Sequence, residues 1–393
     1  MSLEQQQELE SQYVMHTFAR KPVELVSGKG MEVEDAEGNT YLDFIAGIGV
    51  CSLGHCHPAI TKALQDQSER LIHVSNYYYI EGRGELSRKI SGLLNGGDPA
   101  SPEPWQTFYA NSGAEANECA IKLARLYARK NAEEAARAAG ADDAKIKQAF
   151  DGAPRTIVVL DRSFHGRTLA TLAATAQPAK QEAFQPLPGG FVSTPINDVQ
   201  ALTRLFEQQG HDICAVMLEC IQGESGVHPC TKEFLEAVRN LTKEHGALMV
   251  CDEVQTGIFR CGTPFGFQHF GVTPDIVTIA KGIAGGMPMG ACAAPAHIAK
   301  AYQPGDHGTT FGGSLAVAAA TATLDTLSNG FQQHVQETGE YMRQQLAGVS
   351  KVKEVRGVGL MNAIDLDESV DAPALVQKAL GKGLLLNATG APT

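Results

Sequence analysis

The sequence has no apolar run long enough to cross a membrane. Its start, Met1-Ser2-Leu3-Glu4-Gln5-Gln6-Gln7, is acidic and polar where a secretory leader would be basic and then apolar. Membrane insertion and export are therefore not expected, and the chain reads as a soluble, untargeted protein. Positive charge is scarce: 32 Lys and Arg against 44 Asp and Glu leave a formal net charge of -12. Such a surface does not attract phosphate backbones or anionic lipids, which argues against nucleic acid and membrane partners. The nine cysteines contain no C-x-x-C pair, and their odd number fits free thiols in a reducing compartment, by default the cytoplasm, better than a disulfide framework. Neither G-x-G-x-x-G nor G-x-x-x-x-G-K-[ST] occurs, so dinucleotide and nucleoside triphosphate sites lose their main support. His55-Cys56-His57 suggests a metal, but histidines two apart on an extended segment point to opposite faces and Pro58 follows, so a turn is expected there and no metal site.

With 393 residues, 43% of them hydrophobic, the chain exceeds what a single core holds, so two lobes are expected. Four apolar runs end at polar groups: Thr156–Leu160 before Asp161, Ile213–Leu218 before Glu219, Ala247–Cys251 before Asp252, and Ile276–Ala280 before Lys281. Rich in branched residues and without alternation, they suit strands buried on both faces of a mostly parallel sheet. Helical stretches such as Lys232–His245, with Gly246 as terminator, separate them. The alternation predicts an α/β fold, whose ligands bind beyond the carboxyl ends of the strands, so Asp161, Glu219, Asp252 and Lys281 are expected on one rim. Residues 131–152, dense in Ala, Glu, Asp and Lys, read as a solvated helical insertion, and residues 30–42 as a hairpin. The expected organisation is a large domain over 49–290 and a smaller α+β domain made from 1–48 and 291–393.

The segment Asn111-Ser112-Gly113-Ala114-Glu115-Ala116-Asn117-Glu118 follows the strand-like Thr107–Ala110 and opens a helix expected to run to about Arg129. A small-residue turn into a helix N-terminus offers free N–H groups and a positive dipole end, a cup for phosphate, although such turns also merely join elements. Asp252, ending a buried run, needs a cation or a donor as partner, or else caps the next turn. Lys281 ends an apolar run before the flexible Gly282-Ile283-Ala284-Gly285-Gly286. A lysine so placed has its pKa lowered by desolvation and acts as a nucleophilic amine, unless it snorkels out to water. A phosphate cup, an amine and an acid together meet the needs of pyridoxal 5′-phosphate, whose ring nitrogen must stay protonated for the ring to accept electrons. In Ser163-Phe164-His165-Gly166-Arg167-Thr168, Phe164 is placed to stack on that ring, and Arg167 offers a planar fork for a substrate carboxylate or for a surface Asp.

These segments, with Glu219-Cys220-Ile221-Gln222-Gly223-Glu224, Asp252-Glu253-Val254-Gln255-Thr256-Gly257 and His307-Gly308-Thr309-Thr310-Phe311-Gly312-Gly313, make the chain resemble the class III, ornithine-type aminotransferases, most closely acetylornithine aminotransferases. The resemblance runs over nearly the whole chain. It implies the aspartate aminotransferase-like fold (PLP fold type I) and a homodimer with shared active sites. It also implies that Ser112, Gly113, Ala114 and, from the neighbouring subunit, Thr310 hold the phosphate. Phe164 and His165 then belong to the cofactor site, Asp252 pairs with the ring nitrogen, Val254 and Gln255 line the ring, and Lys281 holds the cofactor as a Schiff base. Arg167, Thr309 and Glu224 are implied substrate contacts. The implied reaction is transamination of N-acetylornithine with 2-oxoglutarate, with ornithine, succinylornithine and 4-aminobutyrate as alternative amines. Two departures stand out: Cys220 replaces the family's proline, and an Arg-Phe-x-Pro-Pro segment that in relatives follows a stretch like Asn387–Gly390 is not in the sequence, which stops at Thr393. Either the sequence is a piece of a longer chain or that carboxylate anchor is missing.

Overall fold

The computed structural model describes residues 2–96 and 103–389. Its centre is a seven-stranded sheet in the spatial order Trp105–Ala110, Gly290–Pro295, Ile276–Ile279, Leu248–Asp252, Ile213–Leu218, Thr156–Leu160, Phe191–Thr194. Gly290–Pro295 runs antiparallel to both its neighbours, and the remaining neighbouring pairs are parallel. The four apolar runs are all strands here. Successive residues point to opposite faces, and both faces are covered: Val158, Val216, Met249 and Val277 enter one core while Ile157, Ala215, Val250 and Ile276 enter another. This is why the runs show no polar alternation.

Register fixes what the strand ends bring together. Cys251 pairs with Leu218 and Asp252 pairs with Thr278. Glu219 therefore stands level with Asp252, and Lys281 follows three residues beyond Thr278. The three polar groups emerge at the carboxyl ends of neighbouring parallel strands, as expected.

Three features go beyond what the sequence suggested. The helix after the cup spans Gly113–Ala138, nine residues past the expected end, because alanine-rich sequence continues a helix even where apolar anchors run out. The following helix is Asp143–Asp151, capped by Asp142. The sheet also takes in Gly290–Pro295, and the helix Ser314–Leu327 joins the large core through Ala316, Val317, Ala320 and Leu324, so that core reaches well past residue 290. Small residues hid both elements: Gly-Ala-Cys-Ala-Ala-Pro does not read as a strand, yet it is what allows the helix Gly113–Ala138 to lie close against the sheet.

A second sheet joins the two ends of the chain. Leu25–Lys29, Glu32–Asp35 and Thr40–Asp43 form an antiparallel meander, and Leu384–Leu385 adds in parallel to Thr40–Asp43. At the expected hairpin, Asp35 Oδ1 accepts from the Glu37 and Asn39 N–H groups and Oδ2 accepts from the Tyr41 hydroxyl. His57 caps the helix Pro58–Ser68, and His55 pairs with Asp43 at 2.8 Å, so both histidines have structural partners. No helix among the described residues is long and apolar enough to cross a membrane.

Candidate active site

A cavity of about 430 Å³ opens beyond the carboxyl ends of the central strands, and Ser112, Gly113, Ala114, Phe164, His165, Arg167, Asp252, Val254, Gln255 and Lys281 all line it. A larger cavity of about 660 Å³, between the strand Trp105–Ala110 and residues 302–308, holds none of these groups. The smaller one is the candidate site because titratable groups converge there.

Lys281 sits at the far end of the Ile276–Ile279 strand with φ +45°, in the left-handed region that non-glycine residues rarely adopt. Burial pushes its ammonium down to about 8, against the opposing pull of the Asp252, Glu219 and Glu224 carboxylates. The amine does not snorkel out to water.

Asp252 is nearly fully buried and held by three donors: Asn117 Nδ2 at 2.8 Å and His165 Nδ1 at 2.8 Å on Oδ2, and the Val254 N–H at 3.0 Å on Oδ1. It thus caps the next turn as well as facing the cavity. Burial is the strongest single influence and works against a charged His165, but the bond to Asp252 and the charges of Asp252 and Glu219 together raise the imidazole above its ordinary value. Asn117 also donates to the His165 carbonyl at 2.7 Å, so one side chain ties the helix Gly113–Ala138 to both the acid and its histidine partner. His165 Nε2 and Asn117 Oδ1 are buried with no hydrogen-bond partner among the described residues.

The cup forms as expected, with one addition. Ser112 Oγ caps the helix by accepting from the Glu115 N–H at 3.2 Å, while Glu115 takes the Asn111 N–H at 2.7 Å. The Gly113 and Ala114 N–H groups keep no partner among the described residues and face the cavity. A Cβ on Gly113 would stand 2.9 Å from Val254 Cγ1, and one on Gly290 would stand 2.3 Å from the Ser112 carbonyl oxygen. The backbone packs this closely only because both residues are glycine.

Phe164 carries Arg167 over its ring at 5.5 Å and Lys180 at 5.1 Å. Among the described residues no carboxylate lies within ion-pair distance of Arg167. Glu224 does not line the cavity; it pairs with Lys180 at 3.0 Å. Thr309 and Thr310 also lie outside the lining, and their carbonyls accept from Asn76 and Asn111 of the same chain. Asp161, expected on the rim, stands level with Glu219 in register but does not line the cavity; the loop that follows brings in Phe164 and His165 instead. Gly390, the last residue of the stretch expected to precede an arginine segment, lies outside the described residues.

Sequence reasoning missed Asn117 and gave Glu219 no role, though both line the cavity. The available signal was a lone polar residue among the buried Ala116, Cys119 and Ala120 of a helix face. Cys220, at the family's proline position, rests its sulfur 3.7 Å from that of Cys251, linking the strand ends that carry Glu219 and Asp252.

Two free backbone donors at a helix N-terminus, a cradle that a Cβ at residue 113 would fill, and an acid and a desolvated amine on one wall fit pyridoxal 5′-phosphate. The Aminotransferase class-III family model matches residues 15–393. The chain is 46% identical over 384 residues to an acetylornithine aminotransferase of Caldanaerobacter subterraneus subsp. tengcongensis, covering 96% of this chain and 90% of that one. It is 42% identical over 395 residues to the acetylornithine aminotransferase of Methanocaldococcus jannaschii, covering 99% and 92%. Among solved structures it resembles the ornithine aminotransferase of Toxoplasma gondii, with TM-score 0.86, 30% identity and coverage of 99% and 88%. The acetylornithine aminotransferase of Elizabethkingia anophelis follows with TM-score 0.81, 34% identity and coverage of 98% and 91%. A family match over nearly the whole chain, on a site that fits the family's cofactor, makes this protein a member of the class-III aminotransferases.

Proposed function

We propose that the protein transfers the terminal amino group of N-acetylornithine to 2-oxoglutarate, giving N-acetylglutamate 5-semialdehyde and glutamate, in a two-stage exchange that serves arginine biosynthesis. The observation that carries the reading is Lys281, a desolvated amine at a strand end, sharing a cavity with Asp252 and with a pair of free helix N–H groups. The names of the similar relatives supply the substrate.

Gly113 and Ala114 N–H, with Ser112, would hold the phosphate. Asp252, fixed by Asn117 and His165, would hold a proton on the ring nitrogen, and Phe164, Val254 and Gln255 would confine the ring. When bound, the cofactor supplies an electron sink for the bond broken at the amine-bearing carbon. Lys281 Nζ takes the proton from that carbon, and its lowered pKa keeps a useful share of the amine neutral near pH 8. Arg167 orients a substrate carboxylate by its planar fork. Thr310 of a second copy and the Thr309 and Glu224 of the expected set would join through assembly and loop movement. Exposed Tyr77, Tyr78 and Tyr79 beside Asn76 offer that second copy an apolar face, which supports a homodimer. Nine free cysteines, seven of them buried, suit a reducing cytoplasm.

Steady-state kinetics with N-acetylornithine and ornithine against 2-oxoglutarate test the substrate: a higher kcat/KM for ornithine overturns the assignment. Lys281→Ala should abolish turnover and the borohydride-trappable visible absorbance. If that absorbance survives, the lysine assignment is wrong.

A further inference from the structure

Glu219 is a buried carboxylate, 4% exposed, in the wall of the active-site cavity. Its Oε2 accepts from the Phe164 N–H at 2.9 Å, and its Oε1 accepts from the Gly223 N–H at 3.4 Å. No lysine, arginine or histidine nitrogen lies within ion-pair distance of it among the described residues. Burying a carboxylate without a cation costs several kcal/mol by general estimates, yet a glutamine of the same shape would accept only one of these two bonds and set its amide N–H against the other donor. Holding both the Phe164 and the Gly223 N–H therefore takes the two oxygens of a carboxylate, a task that an amide does not perform.

We propose that Glu219 is a positioning residue for the reaction: ionised, its carboxylate is the strut that fixes Phe164 at the cavity and so places Arg167, and protonation slackens that strut. The proposal rests on the roles given above to Phe164 and Arg167. A charged acceptor holds an N–H about twice as strongly as a neutral one, so the loop from Ser163 to Thr168 is held best when Glu219 is ionised. The groups around it are Asp252 on the neighbouring strand, His165 on the held loop, Lys281 on the turn beyond the next strand and Glu224 on its own loop. Burial raises the Glu219 carboxyl to about 7, with His165 opposing and Asp252 adding to the shift. The strut thus weakens as pH falls through neutrality.

The test uses the cofactor-loaded enzyme, scanned from about pH 6 to about pH 9, with two readouts: KM against kcat for the amine, and the visible circular dichroism of the bound cofactor. The wild type should show a step near 7 in both KM and dichroism. Glu219→Gln keeps one acceptor oxygen and loses the charge and the titration, so the step should vanish and KM at every pH should lie near the wild type's acid-side value. Glu219→Asp should restore a step, at a displaced midpoint. A step that persists unmoved in Glu219→Gln, or a uniform loss of kcat at every pH, overturns the strut. Phe164→Leu separates the two ideas. If it leaves dichroism and KM untouched, the reading of Phe164 falls and the proposal with it; if it changes both while Glu219→Gln keeps its step, the strut alone falls.

Discussion

Lys281 and Asp252 were legible because a charged residue closing a five-residue apolar run is rare without a task. Asn117 was not, since its importance comes from meeting Asp252 across the sheet, a contact 135 residues distant in sequence that no local pattern encodes. Lys281 also has a stability consequence. Its folded pKa of about 8 lies below the ordinary 10.5, so between those values the unfolded chain binds the extra proton and stability rises with pH. Below about 8 the penalty is present in full, on the order of 3 kcal/mol. Lys281→Met should therefore stabilise the cofactor-free protein at neutral pH by an amount of that order, with the gain shrinking towards pH ~10.5 while turnover is lost. Urea unfolding at the two pH values measures it, and a gain that does not shrink at the higher pH would show that desolvation of the amine is not its source.

At the level of elements, strands buried on both faces announced themselves by composition, whereas Gly290–Pro295 did not. Its small residues are selected by close approach: the Gly290 backbone lies under the Ser112 carbonyl, and Ala291 and Ala293 are fully buried. The cup was legible as a strand, a turn and a helix start, but not its tolerance, which depends on Val254 from another strand end. Gly113→Ala places a Cβ 2.9 Å from Val254 Cγ1, an overpacking that costs about 1 to 3 kcal/mol. It should push the free N–H groups off line and weaken cofactor affinity by about tenfold. Val254→Ala in the same chain makes room again and should recover most of that loss. Fluorescence titration of the cofactor measures both; if the double variant binds no better than Gly113→Ala alone, the two side chains are not in conflict and the cup fails for another reason.

On the scale of the whole molecule, segments far apart in the sequence meet next to the turn that leads to the site. Leu385 pairs with Asp43, and Lys21 Nζ donates to the Leu386 carbonyl at 2.8 Å. Asp43 Oδ1 in turn accepts the Ile45 and Ala46 N–H groups, each at 2.9 Å, and starts a left-handed turn in which Ala46, Gly47, Ile48 and Gly49 all have positive φ. That turn costs roughly 1 to 2 kcal/mol at each of Ala46 and Ile48, and it delivers Val50 to the cavity wall. Composition gave no sign that Leu384–Leu385 would brace Thr40–Asp43, because pairing across more than 340 residues leaves no periodic trace. Leu385 packs with Val33, Tyr41 and Leu380 in a small core of its own. Leu385→Ala should cost about 2 kcal/mol of stability, near the low end for a buried leucine, since this cluster lies at the edge of the protein. The brace also implies faster amide exchange over residues 40–49 and a raised KM with kcat largely kept, because Val50 would lose its fixed seat while Lys281 and Asp252 stay in the rigid central sheet. Hydrogen exchange and kinetics on one preparation decide it. Unchanged exchange over residues 40–49 alongside lowered stability would mean that the closing strand supports the fold without reaching the site.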